Sequence, residues 1–125
     1  MKPLLFIIID LSEENVFEFN KNTFYGFAKE LDSINFIDVS KILKLNQKTN
    51  TSSLDKRFII HQPINILELK KMILKNNSVF MYCINTDSKY FFINFLLARY
   101  KVKKFIVSNL GYNPENFNYV NKNFL

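Results

Sequence analysis

Glycine is almost missing: Gly26 and Gly111 are the only two in 125 residues. That shortage excludes a G-x-G-x-x-G dinucleotide fingerprint, a P-loop and a G-x-S-x-G nucleophile elbow, all of which need closely spaced glycines. There is one cysteine, Cys83, so no intramolecular disulfide can form, and its apolar surroundings read as those of a buried structural thiol. With His61 as the only histidine and no acidic cluster, no metal site can be assembled, and no metal or cofactor is expected. Arginine is nearly as scarce, at Arg57 and Arg99. The chain is basic, with net charge +6 and a pI near 9.4, but its lysines are dispersed. The tightest group is Lys101, Lys103 and Lys104. Without the guanidinium forks that suit phosphate, this pattern argues against nucleic acid. Long apolar runs are absent too. Leu4 to Ile9 is too short for a signal peptide or a membrane span, and Asp10 ends it. The expected location is cytoplasmic.

What is present is a globular composition, 48% hydrophobic and 22% charged, with phenylalanine (14 copies) as the main bulky residue. The length suits a single domain over residues 1–125. "PLLFIIID" and "VFMYCI" are continuous apolar runs, as parallel strands covered on both faces should be. "INFIDV", "RFIIH" and "KFIVS" read as further strands. Between them, "NTFYGFAKEL" places Phe24, Phe27, Ala28 and Leu31 at helical spacing, with Asn22 or Thr23 as its cap. Ser40 to Leu45 reads as a short helical turn and Asn46 to Lys56 as a surface loop. Pro63 suits the first turn of a helix in which Ile66, Leu69 and Ile73 form one stripe. A further helix runs from a cap at Thr86 or Asp87 to about Tyr100. The alternation predicts an α/β fold: three layers, Rossmann-like, with an open, mostly parallel sheet of about five strands. Residues 114–125 carry no assignable pattern.

In such a sheet, ligands bind beyond the carboxyl ends of the strands, where strand order reverses. The polar residues at those ends are the candidates: Asp10 and Ser12, Val39-Ser40, His61-Gln62, Asn85-Thr86-Asp87 and Ser108-Asn109. Asp10 fits a residue that holds a ribose, a metal or a phosphorylated loop, or else a turn-forming strand end. His61 is a candidate general acid or base, or else a hydrogen-bonded structural residue. Asp87 serves as a helix cap and a candidate catalytic base. Gly111 permits a positive φ or a close backbone approach. A phosphorylated receiver domain is rejected: Asp10 is followed by Leu11-Ser12, and the third strand ends "IIHQP" without an aspartate.

The stretches "LLFIIIDLSEENVFEFN", "FYGFAKEL" and above all "FINFLLARYKVKKFIVSNLGY" resemble the N-terminal, acceptor-side domain of GT-B-fold bacterial glycosyltransferases, over roughly residues 1 to 112. The resemblance implies a nucleotide-sugar donor and a saccharide acceptor in capsule or lipopolysaccharide synthesis, the donor being held largely by a second domain. It places Asp87 and Asn85 at the catalytic or acceptor-binding turn, with Asp87 as the expected catalytic residue and the neighbouring Thr86 as a substrate-binding candidate. It also places Asp10 to Glu13 at the loop reaching the donor phosphates, and Asn109, Gly111 and Tyr112 on the inner rim of the cleft. "DLSEEN" departs from the glycine-rich first loop of that family, and 125 residues leave no room for a second half. The chain is therefore expected to be the N-terminal half of a longer enzyme, inactive alone and at most peripheral to a membrane. The alternative is a stand-alone, non-catalytic interaction or regulatory module.

Overall fold

The computed structural model describes residues 4–13, 16–46, 54–75, 79–84 and 87–104. Five parallel strands make one sheet: β1 (Leu5–Ile9), β2 (Ile34–Asp38), β3 (Phe58–His61), β4 (Val79–Cys83) and β5 (Lys103–Lys104). Their order is β3-β2-β1-β4-β5. The chain winds outward from β1 to β3, then crosses back to β4, so strand order reverses between β1 and β4. The expected α/β class and the parallel sheet are both found.

β1 and β2 are buried along their whole length because helices cover both faces. On one face, Leu5, Ile7, Ile9, Phe36 and Phe58 pack against Phe17 of α1 (Val16–Phe19) and Phe24 and Ala28 of α2 (Lys21–Leu31). Phe36 is the hub, with ring centroids 5.0 Å from Phe24, 5.7 Å from Phe17 and 5.4 Å from Phe58. The other face sets Phe6, Ile8, Ile37, Phe80 and Tyr82 against α3 (Ile66–Lys75) and α4 (Phe91–Arg99). Leu69 and Ile73 anchor α3, as the predicted stripe requires, and Ile93 and Leu97 anchor α4.

Several local expectations are corrected. The first crossover contains the additional helix α1 ahead of α2. α2 begins at Lys21, so Asn22 and Thr23 lie inside it; Asn20 precedes it and turns its side-chain amide back to the Val16 carbonyl (2.9 Å). Pro63 lies ahead of α3, not within its first turn. That helix is capped by Asn65, whose Oδ1 accepts the Glu68 amide at 2.9 Å, while Glu68 reaches back to the Ile64 amide at 2.8 Å. Ahead of α4 stands a short 3-10 turn, Ser88–Tyr90. The fifth strand is seen at Lys103–Lys104; Phe105 to Ser108 lie outside the described residues.

Candidate functional site

The point of strand reversal is built from the end of β1 and the turn leading into α4. Asp10 follows β1 and is 1% exposed. Its Oδ1 accepts the Ser12 amide (2.9 Å) and hydroxyl (2.6 Å), which folds the loop back on itself. Its Oδ2 accepts the Tyr90 hydroxyl at 2.5 Å. Tyr90 is also fully buried, within the core on the side of the sheet that α3 and α4 cover. The same hydroxyl lies 3.1 Å from Glu13 Oε1. One phenolic proton faces two carboxyl groups and cannot serve both fully. Burial first, then the bond to Asp10 and the nearby charges of Asp10 and Glu13, hold the Tyr90 phenol far above its ordinary range.

Lys89 completes the group. Its ammonium bonds Glu13 Oε1 and lies 5.0 Å from the Tyr90 ring centroid. The bond to Glu13 raises the lysine's pKa, and Asp10 and Asp87 add to the effect. Asp87 is exposed, with extended backbone, and its carbonyl accepts the Tyr90 amide at 2.9 Å. It makes no side-chain cap to the 3-10 turn, unlike the capping role expected of it. Of the carboxyl groups bonded here, Glu13 is the one that reaches solvent, with 30% of its side chain exposed against a buried Asp10. Three acidic side chains thus surround one ammonium. Of the three, Glu13 and Asp87 are the ones with exposure to solvent, where a carboxyl oxygen can accept a hydrogen bond from a hydroxyl group.

A second carboxyl group sits one strand over and has a different task. Asp38, at the end of β2, is fully buried. Its Oδ1 accepts the amides of Leu11 and Ser40, each at 3.0 Å. Its Oδ2 accepts the Ser40 hydroxyl (2.8 Å) and the Gln62 amide nitrogen (3.0 Å). The segments following β1, β2 and β3 are tied together by this one side chain.

His61 ends β3, with β2 between it and β1. Its Nε2 is 2.9 Å from Asn35 Oδ1, an atom that can only accept, so Nε2 carries the proton. Its ring stacks obliquely on Phe6 at 5.9 Å. His61, two strands away from β1, is thus hydrogen-bonded to Asn35, while Asp10, Ser12 and Asp87 come together at the strand reversal. Asn85, Thr86, Asn109, Gly111 and Tyr112 lie outside the described residues. Sequence reading left Lys89, Tyr90 and Asp38 unmarked and gave Glu13 no role of its own. The signal for Tyr90 was faint, one aromatic among several in "SKYFFINF".

Among the described residues, no group of three or more His, Cys, Asp or Glu could hold a metal ion, and no helix is long and apolar enough to cross a membrane. Compared with known proteins, the chain matches no family model, no curated protein and no solved structure.

Proposed function

We propose that this chain is the acceptor-side half of a nucleotide-sugar-dependent glycosyltransferase that builds cell-surface polysaccharide. The observation carrying this reading is the group Asp10, Glu13, Lys89 and Tyr90 at the strand reversal of a parallel α/β sheet. Sugar hydroxyls need hydrogen-bond acceptors, and within the group the partly exposed Glu13 carboxyl offers one on a fold whose first loop has no glycine with which to cradle phosphate. Donor phosphates fit this acidic corner poorly, so the reading assigns them to the second domain of a longer enzyme. On this reading Asp87, or Glu13 with 30% of its side chain exposed and steadied by Lys89, orients an acceptor hydroxyl and takes its proton.

The first test is the intact mass of the protein as its native organism makes it. A mass far above 14.9 kDa and transfer from a nucleotide sugar to a saccharide acceptor support the reading. In that enzyme, Asp87→Asn or Glu13→Gln, whichever removes the base, lowers kcat/KM by about 10²-fold or more, as loss of a catalytic base does. A native mass of 14.9 kDa rejects the two-domain enzyme and leaves the non-catalytic module.

A further inference from the structure

α4 is apolar on both sides. Ile93 and Leu97 point into the core, and on the opposite side Phe91, Phe92 and Phe95 are 64%, 75% and 62% exposed. Single exposed phenylalanines are ordinary, but three on one helical stripe are not. Ala98 and Arg99 continue the stripe and are exposed as well. α3 covers the same face of the sheet and adds two more apolar side chains to its outer surface, Leu67 and Leu74, each 58% exposed.

Charge decides what this surface fits. From Ser88 to Lys104 there are five cationic residues and no acidic one. Lys89 is engaged by Glu13, whereas Arg99, Lys101 and Lys103 are exposed around the carboxyl end of α4. On α3, Lys71 and Lys75 are exposed beside Leu67 and Leu74. A second copy of the chain on this face would set cations against cations. Single-stranded nucleic acid needs ring faces free for stacking, and Phe91 and Phe92 turn theirs edge to face on one another, centroids 5.5 Å apart. Phenylalanines with a lysine and arginine border are what an anionic lipid surface accepts, the rings entering the acyl boundary and the cations meeting the headgroups.

We propose that the outer surface of α4, flanked by α3, docks the protein on an anionic membrane surface. This inference is independent of the glycosyltransferase reading. The test is sedimentation of the full chain with vesicles of equal phosphatidylcholine and phosphatidylglycerol, compared with pure phosphatidylcholine. Binding is expected to the mixed vesicles and to weaken as salt rises. The double substitution Phe92→Ser and Phe95→Ser, with folding checked by circular dichroism, should weaken it at least about tenfold. Arg99→Glu disturbs no apolar packing and should cost about fivefold or more. No binding to the mixed vesicles, or equal binding by the double variant, overturns the proposal. So does a lipid-free dimer that the same double substitution abolishes, which would give the face to a second copy.

Discussion

Asp38 accepts four hydrogen bonds without reaching solvent, so its replacement leaves buried donors stranded. Each such donor costs about 1–3 kcal/mol, and Asp38→Ala should therefore destabilise the fold by about 3–5 kcal/mol. Asp38→Asn keeps one oxygen for the Leu11 and Ser40 amides, and Gln62 can turn its own amide to match. Its cost should be nearer 1 kcal/mol. Urea unfolding of the two variants beside the parent checks both values; equal losses would show that Asp38 acts through something other than these bonds. The group at Asp10 is partnered differently, since its third donor is a tyrosine from a distant segment. This is why the site was only half legible in the sequence. Asp10 could be marked from the chain alone because it ends an apolar run. Tyr90 is 80 positions away and joins it only because β4 pairs with β1.

At the scale of elements, the sequence was most legible where one pattern had one explanation. The runs around Ile7, Phe36 and Met81 became parallel strands, and the stripe of Leu69 and Ile73 became the buried side of α3. It was least legible at helix starts. Asn20, Asn22 and Thr23 are all cap-forming residue types, and packing of Phe17 and Phe24 against Phe36 settled where α2 begins. α2 also carries Gly26 in its interior, exposed, with nothing within 4 Å of where a Cβ would stand. Gly26→Ala should therefore stabilise the protein by about 0.5–1 kcal/mol, through lower backbone entropy in the unfolded chain. A rise in the urea midpoint with unchanged denaturant dependence is the expected result. A fall would mean that the outer side of α2 is covered in solution.

For the whole molecule, two buried groups set an alkaline limit. Burial pushes the Cys83 thiol from 9.0 up to about 12. The Tyr90 phenol is raised from 10.0 by burial and by its acidic neighbours. Both groups hold their protons longer folded than unfolded. Their contribution to stability is therefore complete below pH 9.0 and declines as pH rises above it, first through Cys83 and then through Tyr90. Urea unfolding repeated across the alkaline range should show that decline, and the double variant Cys83→Ala and Tyr90→Phe should show a shallower one. An identical slope in the variant would mean that other groups set the limit. The raised thiol also predicts that Cys83 resists iodoacetamide at neutral pH until urea exposes it.

The carboxyl group of Asp38 also acts on the choice of register. LFIII in β1 and INFID in β2 are buried on both sides, so sliding one strand past the other by a single residue would still bury apolar side chains on both faces. Hydrophobicity alone distinguishes the two alignments weakly. In the observed one, Ile9 lies opposite Asp38 and the carboxyl group meets Leu11, Ser40 and Gln62. One step out, it would point toward α3 and α4, among the apolar side chains that cover the other face. A single buried carboxyl group at the end of β2 thus makes the misaligned sheet an expensive competitor and favours one alignment for the folding chain to reach.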